Sequence, residues 1–109
     1  MDALAALADD TRRQIVERLA RADLSAGELG TGFDISQPAV SRHLKVLRDA
    51  GLVEVRRDAQ RRLYRLHAEP LRELDEWLEP YRDLWAQRLD ALDTEIARGR
   101  RAQRTGERA

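Results

Sequence analysis

Apolar residues recur every three or four positions through the first part of the chain, which predicts short amphipathic helices. The opening stretch DALAAL places Leu4 and Leu7 on one side of a short helical segment. In the next stretch, DDTRRQIVERLARA, Asp9 is positioned to cap a second helix and Asp10 to favour its first turn. The apolar side of this second helix consists of Ile15, Val16 and Leu19.

The stretch LSAGEL carries two independent signals for the start of a third helix. Ser25 and Glu28 have the spacing of a capping box, in which each side chain bonds the other residue's backbone N–H. Leu24 and Leu29 have the spacing of a hydrophobic staple around the same start. We therefore expect a short helix that begins after Ser25 and ends before Asp34.

A fourth helix is predicted between Ser36, its N-cap, and Gly51, which stops it. Pro38 falls in the first turn, where a missing N–H costs little. A helix, a short turn and a second helix form a helix-turn-helix. At 100° per residue, the core face of the fourth helix is Val40, Leu44 and Leu47.

The opposite face of this fourth helix is polar and cationic, and His43 lies at its edge. Gln, Ser, Arg and Lys are side chains that bond base edges in the major groove, and free N–H groups at a helix N-terminus bind phosphate. The alternative is an ordinary amphipathic helix with a solvated face. The candidate DNA-binding residues of this helix are Ser36, Gln37, Pro38, Ser41, Arg42, Lys45 and Arg48.

Two apolar stretches, LVEV and LYRL, flank RRDAQRR and predict a β-hairpin. Val53 and Val55 are expected to face the core, with Tyr64 and Leu66 opposite them. Repeated cations at one hairpin tip repel each other unless an anion pairs with them. The candidate DNA-binding residues of the hairpin are Arg56, Arg57, Arg61 and Arg62.

A long helix is predicted from Pro70 to about Ala97, and Pro80 should kink it or split it in two. The stretch RGRRAQRTGERA has no apolar period and is expected to be a disordered basic tail. The predicted fold is mainly α with a small β-hairpin wing, in the α+β class. Its domain covers residues 1–97, and residues 98–109 form the tail.

Composition narrows the possible functions. The 109 residues fit one small domain and include no cysteine, so disulfides, thiolate metal sites and cysteine nucleophiles are excluded. No run of apolar residues reaches a membrane span, and no signal peptide opens the chain, so a cytoplasmic protein is expected. The net charge of zero hides a segment, residues 36–66, with eight basic and three acidic groups. That asymmetry favours a surface that meets an anion, although solvated helix faces explain it equally well.

The chain resembles the ArsR/SmtB family of winged-helix transcriptional regulators. LADDTRRQIVERL resembles the family's opening helix, and SQPAVSRHLKVLRDAGLV resembles the centre of its helix-turn-helix, within a match over residues 4–66. The resemblance implies a cytoplasmic bacterial repressor, a homodimer with one recognition helix and one wing per subunit. It also implies that Gln37, Ser41, Arg42 and Lys45 face the major groove of a double-stranded, pseudo-palindromic DNA operator.

Three features depart from the family pattern. Gly30 and Gly32 stand where the family has better helix formers, Asp34 stands where it has a turn glycine, and the wing tip has no glycine. These departures put the local rigidity of the turn and the wing in doubt, but not the fold.

The apolar positions of the last helix form two adjacent rows, wide enough to contact both its own domain and a second chain. A helix with a single core face is the alternative. Dimerisation is favoured because a small core does not readily enclose two tryptophans. The predicted dimer interface consists of Leu4, Leu7, Leu74, Trp77, Leu78, Tyr81 and Trp85.

No cofactor, metal or catalytic group is predicted. His43 and His67 are the only histidines, and the last helix lacks the histidine ligands of the family's metal sensors. No carboxylate pair or Ser/His arrangement indicates an enzyme. Two alternatives remain open: a winged-helix module that binds a protein, and a metal-responsive sensor with a non-cysteine site. The identity of the effector is also open: another ligand, a partner protein or no effector at all.

Overall fold

The chain forms five helices and one antiparallel hairpin in a computed structural model that describes the backbone of residues 2–108 and the side chains of residues 2–99. It divides into two compact units, residues 1–74 and 75–109. The elements are α1 (Asp2–Ala6), α2 (Asp10–Leu19), α3 (Ala26–Gly30), α4 (Gln37–Asp49), β1 (Val53–Asp58), β2 (Arg61–Leu66) and α5 (Glu69–Arg108).

Side-chain caps fix the starts of three helices at the predicted residues. The carboxylate of Asp9 accepts a hydrogen bond from the backbone N–H of Arg12 at 2.9 Å. At the start of α3, Ser25 Oγ accepts from the Glu28 N–H at 3.2 Å, and Glu28 Oε1 accepts from the Ser25 N–H at 3.1 Å. Ser36 caps α4 in the same way. Each such cap stabilises a helix by about 1 kcal/mol.

One apolar core joins α1 to α4 and the start of the hairpin. The predicted inward face of α4 is confirmed, because Val40, Leu44 and Leu47 are essentially inaccessible to solvent. Full burial of a side chain of this size contributes about 1.5–3 kcal/mol. The other buried members of this core are Ala3, Ala6, Ile15, Val16, Leu19, Leu29, Leu52 and Val53.

Gly51 turns the chain from α4 into the hairpin. Its φ of +77° lies in the left-handed region, which glycine adopts without the clash of a Cβ. The Gly51 N–H donates to the carbonyl of Arg48 at 2.9 Å, and the Leu52 N–H donates to the carbonyl of Leu47 at 3.0 Å. This pair of bonds is a Schellman motif, which satisfies the last carbonyls of the helix and buries Leu52.

The hairpin has the predicted pairing but longer strands. Val53 lies opposite Leu66 and Val55 opposite Tyr64, so these four side chains share one face. Pairing continues to Asp58 and Arg61, and the tip is therefore only two residues long. Leu63 is buried on the other face. The backbone pairing of Tyr64 with Leu24 attaches β2 to the segment before α3.

Helix α5 begins beside Pro70 as predicted, but the predicted split at Pro80 is wrong, because Pro80 lies inside a continuous helix. The proline costs one hydrogen bond at an exposed position, where water can replace it. A bend at Pro80 remains a prediction. None of the described helices, α5 included, combines the length and the apolar character that a membrane crossing needs.

The helical backbone continues through Arg108, where the sequence suggested a tail without regular structure. Five of the eleven residues 98–108 are Arg, which favours helix even without apolar side chains to pack, whereas the two glycines, Gly99 and Gly106, disfavour it. The side chains from residue 100 onwards lie outside the described residues. The division into residues 1–97 and 98–109 stays a prediction.

Candidate nucleic-acid interface

Helix α3, the turn and α4 form a helix-turn-helix, and the β1–β2 hairpin follows it as the wing. The outer face of α4, the recognition helix, carries the polar side chains that the sequence placed there. All of them are solvent-exposed: Ser36, Gln37, Pro38, Ser41, Arg42, Lys45 and Arg48.

Arg18 of α2 fixes the C-terminal end of α3, which sequence reasoning missed. Its guanidinium donates to the backbone carbonyls of Glu28 at 2.9 Å, Leu29 at 2.6 Å and Thr31 at 3.0 Å. It also lies 5.5 Å from the ring centroid of Phe33, within cation–π range. One charged side chain thus bonds three backbone carbonyls at the end of a short helix.

Gly32 provides the left-handed residue in the turn between α3 and α4, with a φ of +97°. Asp34 has no positive φ, so the doubt raised by an aspartate in place of the family's turn glycine does not apply. The left-handed position lies two residues earlier in this chain, where a glycine is present.

His43, at the edge of the recognition helix, contacts the body of the domain. Its Nδ1 lies 3.5 Å from Nη1 of Arg12 and 3.9 Å from a carboxylate oxygen of Asp9. Arg12 in turn donates through Nε to the carbonyl of Ala6 at 2.5 Å. The hydrogen bond from the backbone N–H of Arg12 lowers the pKa of Asp9, and the nearby His43 also lowers the pKa of Asp9. His43 is therefore a packing residue rather than part of the outer face.

The cations of the recognition helix differ in whether they have partners. Lys45 Nζ lies 2.9 Å from a carboxylate oxygen of Asp49, one turn along the helix. Both groups are well exposed, so this ion pair is weak and a phosphate can compete with it. Within residues 2–99, no hydrogen bond or ion pair engages the side chain of Arg42 or of Arg48.

One face of the wing is tied to the body of the domain by ion pairs. Arg56 lies 3.2 Å from a carboxylate oxygen of Asp23, and Arg65 lies 3.7 Å from the same oxygen. Arg61 donates to Glu28 at 2.5 Å. The pKa of Glu28 is lowered, first by the backbone N–H of Ser25, then by the Ser25 hydroxyl, and to a smaller extent by Arg61. Two of the four predicted wing cations, Arg56 and Arg61, therefore already have anionic partners.

The other face of the wing leaves its cations free. Arg57 lies directly across the ladder from Arg62, on the face that carries Val55 and Tyr64. Among the described residues, neither guanidinium has a hydrogen-bond or ion-pair partner. Like charges opposite each other destabilise a hairpin, and an anion bound between them relieves the repulsion.

A groove of about 640 Å³ separates the recognition helix from this free face of the wing. The cations that line this groove are Lys45, Arg48 and Arg62, and the hydroxyl of Ser41 lies beside them. Asp49 and Glu54 are also on its walls, so the groove is mixed in charge and not uniformly basic. The remaining lining residues are Val53, Val55 and Tyr64.

The predicted dimer residues divide into packed and exposed side chains. Leu7 and Leu74 pack partly against the core of their own domain, and Leu78 is half-buried. Leu4 is exposed on α1. On α5, Trp77, Tyr81 and Trp85 form an aromatic row, each between 44% and 48% exposed. The rings of Trp77 and Tyr81 lie 5.3 Å apart.

Among the described residues, no group of three or more His, Asp or Glu side chains is arranged to hold a metal ion.

Residues 9–55, from the cap of α2 into β1, match the profile described as "Bacterial regulatory protein, arsR family". The chain is 34% identical over 73 residues to the transcriptional repressor SdpR of Bacillus subtilis, covering 67% of this chain and 81% of that repressor. The chain belongs to the ArsR family.

Other transcriptional regulators are similar in sequence and structure. The HTH-type transcriptional regulator Rv2034 of Mycobacterium tuberculosis is 57% identical over 61 residues, which span 56% of this chain and 57% of that regulator. An ArsR-like transcriptional regulator from a Rhodococcus species has 36% identity and a TM-score of 0.68, over 84% of this chain and 86% of its own.

The homodimeric winged helix-turn-helix domain of Mb0332 from Mycobacterium bovis superposes with a TM-score of 0.60. It has 29% sequence identity, and the match covers 75% of this chain and 76% of that domain. These comparisons confirm the predicted winged helix-turn-helix and the predicted class, an ArsR-family transcriptional regulator rather than an enzyme.

Proposed function

We propose that this ArsR-family chain is a sequence-specific repressor that binds a double-stranded DNA operator as a homodimer. The recognition helix enters the major groove, and the wing contacts the flanking backbone. The observation that carries the proposal is the groove between the two elements, where exposed cations of α4 and Arg62 of the wing converge. Cations that come from two separate elements suit an extended phosphate backbone.

The outer face of α4 divides into base-reading and phosphate-binding groups. Gln37 and Arg42 have the chemistry for bidentate contacts to adenine and guanine, respectively. Ser36, Ser41 and Arg48 suit phosphate, which positions a protein on DNA without reading its sequence. Lys45 leaves Asp49 for the DNA at little cost, because their ion pair is exposed.

A dimer explains the aromatic row of α5 and the symmetry expected of the operator. Exposed aromatic rings on a helix are the kind of side chain that a subunit interface buries. The homodimeric Mb0332 domain, which shares the fold, supports this assembly. Two-fold symmetry would place two recognition helices about 34 Å apart, one turn of DNA, and would favour a pseudo-palindromic operator.

Repression is proposed because SdpR is named a repressor, and occupancy of a promoter by a compact dimer blocks access to it. The protein would act in the bacterial cytoplasm, on the nucleoid. A reporter placed behind a selected operator tests the direction of regulation: expression should rise when the gene for this chain is deleted. A fall on deletion would make it an activator.

The test of DNA binding compares three single variants of the full chain. Arg42→Ala and Lys45→Ala should each lose operator binding in mobility-shift assays, while sedimentation shows an unchanged assembly. Arg21→Ala changes an exposed arginine in the turn after α2, outside both the recognition helix and the wing; it is the matched control and should bind normally. The duplex comes from selection by the unaltered chain out of a randomised library. Undiminished affinity in both recognition-helix variants would overturn the proposal, and absence of any DNA binding would favour a protein-binding module.

A further inference from the structure

Gly30, the last residue of α3, and Gln37, the first residue of α4, approach each other across the turn. A Cβ built on Gly30 would overlap Nε2 of Gln37 and would lie 3.2 Å from its Cδ. Its next neighbour would be Cγ2 of Val40 at 3.6 Å, an ordinary contact. The missing side chain of Gly30 therefore leaves the space that the amide of Gln37 occupies.

The conformation of the backbone does not explain a glycine at this position. Gly30 is helical and has no positive φ, in contrast to Gly32 and Gly51. Alanine is a better helix former than glycine, so helix stability alone would favour alanine here. What glycine uniquely supplies at residue 30 is room for Gln37.

The amide of Gln37 lies against the backbone of Gly30, and its hydrogen-bonding groups stay available. Gln37 is solvent-exposed, and its side chain makes no hydrogen bond within the described part of the chain. A glutamine that reads adenine needs both its N–H donor and its carbonyl acceptor, in a fixed orientation. With glycine at residue 30, the amide can lie against the backbone without using either group.

We propose that Gly30 is a specificity-determining positioning residue, which sets the orientation of Gln37 and through it the base preference at one position of each half-site. This inference rests on the proposed DNA-binding function. Gly30 itself does not touch DNA. A side chain at residue 30 would displace the amide and weaken its discrimination, while the phosphate contacts of the recognition helix and the wing would remain.

The chain provides a matched control in the same helix. A Cβ on Gly27 would meet only Oγ of Ser25, at 3.9 Å, so Gly27→Ala makes the same chemical change without touching Gln37. The full-length chain, Gly30→Ala, Gly27→Ala and Gln37→Ala are compared on the duplex selected by the unaltered chain and on its single-base variants. One bidentate contact corresponds to about 5- to 150-fold discrimination between bases.

In Gly30→Ala we expect the ratio of affinities for the preferred and the other bases to fall towards unity at the base pair that Gln37→Ala affects, and at no other. Gly27→Ala should keep the ratio of the unaltered chain. Adding Gly30→Ala to Gln37→Ala should not change the base preference further, because the amide that the new Cβ would overlap is already absent. The side-chain amide resonances of Gln37 in an ¹⁵N-labelled sample should shift in Gly30→Ala and stay in place in Gly27→Ala.

Full retention of the base preference in Gly30→Ala overturns the inference and leaves the proposed function standing. Failure of the unaltered chain to select any DNA sequence removes both. If Gly30→Ala alone does not fold, the double variant with Gln37→Ala decides the matter. Recovery of the fold supports the steric link between the two residues, and continued unfolding overturns it.

Discussion

Arg57 and Arg62 lie directly opposite each other in the wing, on the face that borders the groove beside the recognition helix. The cations on the reverse face of the hairpin are held by Asp23 and Glu28. The two faces therefore differ in how much positive charge they can offer to a polyanion, although both are rich in arginine.

The first prediction follows from that difference. Arg57→Ala and Arg62→Ala should each weaken operator binding and reduce the slope of log affinity against log salt concentration by roughly 1.8, the loss of one phosphate contact in each of the two subunits. Neither change should lower the free energy of unfolding, because each removes a like-charge repulsion. Fluorescence anisotropy over a range of salt concentrations measures the slope.

Arg56→Ala is the control for this pair, since it removes a wing arginine that is already bound to Asp23. Its salt slope should stay close to that of the unaltered chain. Equal slopes for all three variants would mean that the two faces of the wing do not differ in their contact with DNA.

The second prediction concerns the tip of the wing. Ala59 has a φ of +57°, a left-handed conformation that costs a residue with a Cβ about 1–2 kcal/mol. Ala59→Gly should therefore raise the free energy of unfolding by about 1 kcal/mol, after allowance for the greater freedom of glycine in the unfolded chain. Urea denaturation measures the change.

Gln60→Gly is the matched control at the other tip position, where φ is not positive. It should lower the free energy of unfolding by roughly 0.4–1 kcal/mol, because glycine only adds freedom to the unfolded state. A gain from both substitutions would show that strain at Ala59 is not the cause.

The wing illustrates which parts of the fold the sequence could predict. The alternation around Val53 and Val55 predicted the pairing with Leu66 and Tyr64, because the period of two is a local property. The two-residue tip was not predicted, since an Ala-Gln turn has none of the usual glycine or asparagine signals. The pairing of Tyr64 with Leu24 is a long-range contact that no local pattern encodes.

The candidate interface was predictable to a similar extent. Helical periodicity separated the buried Val40 from the exposed Arg42, and this assignment needed only the 100° turn per residue. Periodicity could not show that Arg61 is bound to Glu28, because the two residues are far apart in the sequence. Nor could periodicity show that Gln37 contacts Gly30, because a glycine at residue 30 indicates no more than a poor helix former.

The third prediction is a pH dependence of stability that arises from the capping box. The pKa of Glu28 in the folded chain is lowered from its ordinary value of 4.5, chiefly by the backbone N–H of Ser25. The ionised form is thus favoured in the folded state. Its stabilising contribution is complete above about pH 4.5 and is lost as the pH falls through the lowered value.

Glu28→Gln should remove this part of the acid-induced loss, since the amide cannot ionise. Urea denaturation between pH 7 and pH 3 would compare it with Glu17→Gln, which removes an exposed carboxylate that makes no hydrogen bond within the described residues. An acid limb that is the same in both variants would assign the loss of stability to other carboxylates.

The fourth prediction tests the aromatic row as a subunit interface. Trp85→Ser should raise the dimer dissociation constant by at least about tenfold, because burial of an aromatic side chain contributes more than the 1.4 kcal/mol of one decade. The fold of the monomer should persist, since Trp85 is 44% exposed. Sedimentation equilibrium measures the assembly.

Gln87→Ser changes a residue about 200° away around α5 and is the control for the helix itself. Its dissociation constant should match that of the unaltered chain. An equal effect of the two substitutions would attribute the change to a weakened helix, and no effect of either would exclude the aromatic row from the interface.

The separation of free and neutralised arginines on the wing also bears on how the protein would find DNA. The chain has no net charge, so it has no overall attraction that would hold it against every polyanion in the cell. Its field is directional instead, because the carboxylates of Asp23 and Glu28 cancel the cations of one wing face only. A molecule of this kind would rotate during diffusion to present the free face first, and its association rate would depend on ionic strength through that orientation.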